Sequence, residues 1–337
     1  MSWLPSAVAL LLALLIDRHL GEPPVRLHPV VLMGNYLNWA GRRLQRLTQP
    51  VGVPDLKAFW LAVLYWCAGA TIVLVVSWGL VHAVLWLALV GAGLYTGAAG
   101  LADSLSMLLS AVLLALLLKP MLAWAMLTAE VRAVELALAQ SLEAGRERLS
   151  WLVSRDTACL SESQVRESAI ESLAENLNDS VVAPIFWFVL LGLPGAAVYR
   201  FANTADAMWG YKDVYKGQNW EWAGKWAARV DDVLNWVPAR LTGALLALLC
   251  HLPLRQLRHE AGKTPSPNSG WPMAAMALAL GITLGKPGVY TLNPGGRAPQ
   301  AADTSQALIY ASKVLVVLVV AELLAMYLIS LLKNMWP

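Results

Sequence analysis

Five polar stretches hold most of the residues able to do chemistry in this 337-residue chain. The richest runs from Ser154-Arg155-Asp156-Thr157 to Pro184. Within it Glu167, Glu171 and Glu175 recur every four residues and Asp179 continues the series, while Ser161 or Ser163 can cap a helix that runs to about Leu177. That spacing keeps neighbouring carboxylates on one slowly drifting helix face. Like charges so placed destabilise a helix by about 0.2–0.5 kcal/mol per pair. The face therefore calls for counterions. Mg²⁺, which takes oxygen ligands and bridges to substrate phosphates, is one answer. A solvated face with Arg155 and Arg166 as partners is the other.

The remaining stretches are shorter. Arg200, Asn203 and Asp206 are spaced by three, one helix face beside an apolar run, where Arg suits phosphate or carboxylate and Asp suits a metal or an amine. An interfacial anchor gives the same pattern. Arg229-Val230-Asp231-Asp232 leads to Asn235 and Pro238-Ala239-Arg240; the adjacent carboxylates need a cation, either a metal or Arg229 with Arg240. Lys263-Thr264-Pro265-Ser266-Pro267-Asn268-Ser269-Gly270-Trp271-Pro272 places Pro272 in the first turn of a helix running to about Leu284. Free N–H groups there, with Lys263 and the Ser and Asn side chains, would receive an anion; an ordinary helix-entry turn is the alternative. Near the N-terminus, Asp17-Arg18-His19 and Glu22-Pro23-Pro24 precede His28-Pro29, without zinc-type spacing. The chain has no phosphate loop, dinucleotide fingerprint, nucleophile elbow or HExxH motif.

The elements that must position these residues are membrane helices. Hydrophobic residues make up 58% of the chain and charged ones only 14%, against about a quarter in soluble domains. The 16 Trp fit a chain with many lipid–water boundaries. A formal charge of +3 is too small to point to nucleic acid. The expected fold class is all-α: a polytopic helical membrane protein forming a single integral membrane domain over 1–337, with its polar helical segments on one face. Residues 59–100 read as two helices broken near Ser77-Trp78-Gly79. Residues 105–127 are divided at Lys119-Pro120 and continue as an amphipathic helix over 128–149. Residues 181–198, interrupted by Gly192, Pro194 and Gly195, form a short span or a re-entrant element. Further candidates are 236–252 and 314–332, with 273–284 too short to span and 7–16 either a short span or an anchor for Asp17. The polar segments 17–57, 128–180, 199–240 and 253–313 each carry Lys or Arg, and the positive-inside bias places them all in the cytoplasm. Cys67, Cys159 and Cys250 show no CxxC spacing and read as free, buried thiols.

Taken in order, these stretches resemble the CobD/CbiB family of cobalamin biosynthesis. The matching pieces are Asp17-Arg18, Gly21-Glu22-Pro23 and His28-Pro29; Ser154 to Thr157; Glu171 to Asn176 with Asp179 and Ala183-Pro184; Tyr199-Arg200, Asn203-Thr204 and Asp206 to Met208; Asp231-Asp232, Asn235 and Pro238 to Arg240; and Ser266 to Asn268 with Gly270 to Pro272. They cover most of the chain. Ser180, Ala205, Ala207 and Trp209 depart from the family's pattern of Gly, Leu, Ser and Val, which bears on substrate fit more than on the reaction.

The resemblance implies an adenosylcobinamide-phosphate synthase. Such a ligase joins adenosylcobyric acid to (R)-1-aminopropan-2-ol or its O-phosphate through an amide, with ATP as co-substrate and Mg²⁺ expected. The setting it implies is the bacterial cytoplasmic (inner) membrane, with the active site facing the cytoplasm and other membrane enzymes of nucleotide-loop assembly as possible neighbours. On that reading Glu171, Glu175 and Asp179, with Asp206 or Asp231 and Asp232, hold the metal. Arg155, Arg200, Asn203 and Arg240 bind phosphate or corrinoid carboxylate, and Lys263 with Ser266 and Asn268 forms a second phosphate site. The general base is Glu162, His28 or Asp206. A non-catalytic AmpE-like sensor and a transporter are the competing readings. The charges cluster in polar segments rather than in the strongest apolar runs, which disfavours transport.

Overall fold

In lipid an apolar segment pairs all its backbone groups internally only as a helix, barrels aside. The computed structural model describes residues 3–46, 48–93 and 99–335 and bears this out. Its helices are α1 (Trp3–Leu20), α2 (Pro29–Gln45), α3 (Leu56–Gly93), α4 (Ala99–Leu118), α5 (Trp124–Leu138), α6 (Leu142–Leu149), α7 (Glu162–Leu177), α8 (Ala183–Trp209), α9 (Lys225–Leu234), α10 (Trp236–Leu249), α11 (Leu254–Ala261), α12 (Gly270–Leu280) and α13 (Ala301–Met335). Two short antiparallel hairpins complete the described structure: β1 (Val214–Tyr215) with β2 (Gln218–Asn219), and β3 (Leu284–Lys286) with β4 (Tyr290–Leu292). Among the described residues, four stretches are long and apolar enough to cross a membrane: Leu56–Gly91, Ala102–Leu138, Glu162–Trp209 and Ala301–Leu332.

Several expectations need correction. The expected break near Ser77 is absent, and α3 runs unbroken for 38 residues. Ser77 turns its hydroxyl back onto the carbonyls of Val73 (2.6 Å) and Leu74 (3.1 Å), so it costs the helix no unpaired group. Gly79 costs only about 1 kcal/mol relative to Ala. Residues 94–98 of the expected hairpin lie outside the described residues. The candidate span over 236–252 shortens to α10, whose 14 residues rise about 21 Å, less than a bilayer core. The thiols are free but not buried: Cys67 and Cys159 are exposed and Cys250 is half-buried.

Other expectations hold. A 3₁₀ turn at Lys119–Met121 divides α4 from α5. Ser161 caps α7 in a full capping box, its hydroxyl accepting from the Gln164 N–H while the Gln164 side chain accepts from the Ser161 N–H. The apolar run 181–198, expected as a short span or a re-entrant element, is instead part of one long element. The chain passes through a π-helical turn (Asn178–Val182) into α8, which bends at Gly192, where φ is 68°.

Packing divides the chain into two compact units interleaved in sequence. The first holds residues 1–122, 184–234 and 323–337. In it α1 and α3 both pack on α4, and α2 and α9 pack on α3. Lys119 is buried there, its ammonium 3.5 Å from Asp17 Oδ1 and 2.5 Å from Glu22 Oε2. Glu22 also meets His28 Nε2 at 3.2 Å, and His28 Nδ1 accepts the N–H of Val30 to cap α2. Since Nδ1 must accept, the neutral ring carries its proton on Nε2 and donates it to Glu22.

The second unit holds residues 123–183 and 235–322. Val165 and Ala169 of α7 pack with Val134 and Leu138 of α5 and Leu149 of α6. The α12 helix packs on α7, α10 and α11, and β3 lies on α7. All the carboxylates of the four-residue series, and the loop around Arg155, belong to this unit.

Removing one partner of a buried ion pair typically costs about 3–5 kcal/mol because the other charge is stranded. Lys119→Met is therefore expected to lower the thermal midpoint of the detergent-solubilised protein sharply. Adding Asp17→Asn to that variant should recover part of the loss, which a double-mutant cycle in thermal unfolding measures.

Candidate active site

The centre of the second unit is a buried carboxylate. Glu171, in the middle of α7, is 4% exposed. Its Oε2 accepts from Arg155 Nη2 at 2.8 Å and its Oε1 accepts from the Tyr290 hydroxyl at 3.0 Å. Arg155 comes from the loop before α7 and Tyr290 from the start of β4. Burial, followed by the charge of Glu171, pushes the Tyr290 phenol up from its ordinary value, so it remains a hydrogen-bond donor. A tight turn delivers it: in Lys286-Pro287-Gly288-Val289 the Val289 N–H bonds to the Lys286 carbonyl at 2.9 Å, with φ 73° at Gly288. Pro at the second position and a positive-φ Gly at the third define a type II turn.

Two cavities open on either side of this cluster. The larger, about 360 Å³, is lined by Arg155, Glu171, Glu175, Asn176, Ser266 and Lys286, among others. The smaller, about 190 Å³, is lined by Gln164, Glu167, Thr283 and Thr291 together with its shared wall. Arg155, Ser168, Lys286 and Tyr290 border both. The structure thus brings together four of the expected site residues, Arg155, Glu171, Glu175 and Ser266, around one cavity.

The rest of the second unit's candidates stand elsewhere. Glu162 is exposed and paired with Arg166 at 2.7 Å, and lines neither cavity. Asp179 falls in the π-helical turn and lines neither cavity; its Oδ1 accepts from Asn178 Nδ2 at 2.8 Å. Arg240 donates to Asn268 Oδ1 at 3.1 Å and stacks over the Trp236 ring at 4.2 Å. The anion turn is partly self-satisfied: the N–H groups of Asn268 (3.2 Å) and Ser269 (3.4 Å) both donate to Ser266 Oγ. Gly270 is required there, since a Cβ would meet the Ala261 carbonyl at 2.1 Å. Lys263 is bound by Glu260 at 2.6 Å, which also accepts the Asn293 N–H at 2.6 Å. Burial pushes the Glu260 carboxyl up, but Lys263, the Asn293 N–H and His259 outweigh it and hold it below its ordinary value.

In the first unit Arg200, Asn203 and Asp206 share a face of α8 as the spacing predicts. Arg200 Nη1 donates to Asn203 Oδ1 at 3.3 Å, and Asn203 Nδ2 donates to Asp231 Oδ1 on α9 at 3.4 Å. Asp206 and Asp232 are half-buried in the same unit. His28 is engaged at both ring nitrogens, by Glu22 and by the Val30 N–H.

Among the described residues, no three His, Cys, Asp or Glu side chains converge as a metal cage. The carboxylates facing the larger cavity fit Mg²⁺ only as an ion carried mainly by phosphates, with one or two protein ligands, which is how Mg²⁺ is commonly held. Tyr290 and Lys286 were not found from the sequence. The one available signal was the Pro287-Gly288 turn dipeptide, with Lys and Tyr at its two ends.

A family model described as "CobD/Cbib protein" matches residues 10–321. A "Probable cobalamin biosynthesis protein CobD" from Methanothermobacter thermautotrophicus is 40% identical over 297 residues, 84% of this chain and 85% of that protein. A "Cobalamin biosynthesis protein CobD" from Brucella suis is 37% identical over 328 residues, 90% and 91% of the two chains. One of the same name from Chromobacterium violaceum is 40% identical over 287 residues, 83% and 81%. No solved structure matches.

The Glu260 cluster gives a pH prediction. A carboxyl held below its unfolded value adds stability above that value, about 4.5, and the gain is lost as pH falls through the folded value. Thermal midpoints measured from pH 7 down to pH 3 should therefore fall less steeply below about pH 4.5 in Glu260→Gln than in the wild type.

Proposed function

Because the chain belongs to the CobD/CbiB family of cobalamin biosynthesis, we propose that it is the family's amide-forming ligase. It joins a propionate carboxylate of adenosylcobyric acid to (R)-1-aminopropan-2-ol or its O-phosphate, consuming ATP. The observation that carries this reading is the Arg155–Glu171–Tyr290 cluster with Lys286 beside it, standing between two cavities. Ligation of two substrates needs two binding spaces that meet at anion-stabilising groups.

A carboxylate cannot lose oxide, so it must first be activated. Its oxygen attacks the γ-phosphorus of ATP, ADP leaves, and an acyl phosphate remains. Arg155 and Lys286 supply the positive charge that binds the anionic groups and steadies the charge developing on the acyl oxygen. Glu171, itself held by the Tyr290 hydroxyl, keeps the Arg155 guanidinium in place and tempers its charge. Mg²⁺, when bound with the nucleotide, neutralises phosphate charge. Glu175, exposed on the larger cavity, is the carboxylate best placed to assist it. A corrin ring is far larger than 360 Å³, so the cavity receives the propionate arm and phosphates while the macrocycle stays outside. The Lys and Arg of the polar segments support a cytoplasmic orientation in the inner membrane, where both substrates and ATP are available.

The test is reconstitution. Purified protein with adenosylcobyric acid, either amine, ATP and Mg²⁺ should yield the corrinoid amide by mass spectrometry. Arg155→Ala and Glu171→Gln should each lower kcat/KM by about 10²-fold or more, with helicity by circular dichroism retained. Full activity in both variants would remove this cluster from the reaction, and no product with either amine from folded wild type would favour a non-catalytic sensor.

A further inference from the structure

The chemistry above leaves the occupant of the smaller cavity unnamed and Glu167 without a role. We propose that the smaller cavity seats the amine substrate, a short primary amine bearing a hydroxyl or phosphate, and that Glu167 is the base that deprotonates it. This rests on the ligase reading.

Size comes first. A cavity of about 190 Å³ matches a whole molecule of a few heavy atoms better than it matches a whole nucleotide or corrinoid. Its lining is polar in a matching way. The Glu167 carboxylate attracts an ammonium group, Arg155 and Lys286 attract a phosphate, and Thr283, Thr291 and Gln164 offer hydroxyl and amide groups. Glu167 stands one turn before Glu171 on α7, about 6 Å along the axis. The amine it holds is therefore next to the wall where the activated carboxylate arrives.

The two glutamates differ in commitment. Both Glu171 oxygens are taken, by Arg155 and Tyr290. Glu167 lies against the backbone at Gly285, and its carboxylate keeps lone pairs able to take a proton. Gly285 sits so near that a Cβ there would lie 3.5 Å from Glu167 Oε1 and 2.7 Å from the Tyr290 carbonyl. The β3–β4 hairpin thus fixes the carboxylate against the cavity. Glu162 and His28 are both committed to other partners, as described above.

The step balances. The ammonium gives one proton to Glu167. The neutral amine's lone pair forms the C–N bond to the acyl carbon, the C–O bond to phosphate breaks, and phosphate leaves with that electron pair. The second amine proton leaves with phosphate as hydrogen phosphate.

Hydroxylamine is largely unprotonated near neutral pH and captures acyl phosphates without a base. Full-length protein with adenosylcobyric acid, ATP and Mg²⁺ is assayed in parallel with 1-aminopropan-2-ol, with its O-phosphate and with hydroxylamine. In Glu167→Gln the ratio of aminopropanol amide to hydroxamate should fall by about 10²-fold or more near neutral pH, and the remaining amide rate should climb with pH toward the amine's own titration range instead of levelling off as in the wild type. Thr291→Leu, at an exposed strand position, should raise KM for the amine about tenfold and leave KM for the corrinoid acid in place. A wild-type ratio and pH profile in Glu167→Gln, with hydroxamate still formed, overturns the proposal and leaves the ligase standing. Wild-type protein that forms neither amide nor hydroxamate overturns both.

Discussion

A carboxylate removed from water must be met by donors or give up its charge, and Glu171 imposes that condition on the whole second unit. Its two oxygens draw in a guanidinium from the loop before α7 and a phenol from a hairpin far along the chain. Much of the local architecture serves these two deliveries. The capping box at Ser161 fixes where α7 begins and so where Arg155 can reach it. The type II turn at Pro287-Gly288 and the pairing of β3 with β4 bring Tyr290 over the helix. The packing of α7 on α5, α6 and α12 supplies the low-dielectric surroundings that make the pairing strong. The same cluster forms the wall between two cavities, so structural necessity and proposed chemistry meet in one set of atoms.

Elements with a local cause were legible in the sequence. Ser161 with Gln164 three residues on marks a helix start. Lys119-Pro120 marks a break, because Pro lacks the donor that would continue α4. The span-like runs follow from hydropathy alone. What failed depended on context. Ser77-Trp78-Gly79 resembles a turn, yet in an apolar helix the serine hydroxyl finds its own backbone and the helix continues. The cysteines looked buried because their neighbours are apolar, but in a membrane helix apolar also means outward-facing, as Cys67 shows.

The candidate site was half legible. Four-residue spacing marked α7 as the carboxylate-bearing helix and left Mg²⁺ or Arg155 with Arg166 as its counterions; in the structure Arg155 pairs Glu171 and Arg166 pairs Glu135 and Glu162. The spacing also pointed to Asp179, which falls in the π-helical turn and lines neither cavity; nothing in Asn178-Asp179-Ser180 announces that turn. Tyr290 and Lys286 were invisible because they arrive through tertiary pairing of strands only three residues long. Conversely, motif resemblance grouped Arg200, Asp206, Asp231 and Asp232 with the α7 carboxylates, although the former belong to the first compact unit and the latter to the second. Order along the chain records function without recording which core each residue is built on.

The unbroken α3 has a consequence for the lipid itself. Its exposed Trp60 and Trp86 stand about 39 Å apart along the helix at 1.5 Å per residue. That is close to the roughly 40–45 Å between the outer edges of a bilayer's headgroup layers. Indoles prefer those layers, so the pair acts as a ruler laid against the membrane. An untilted α3 matches a bilayer of ordinary thickness, and a thinner one relieves the hydrophobic mismatch by leaning the helix over. Bilayer thickness thereby bears on the inclination of α3, together with its packing on α2, α4 and α9.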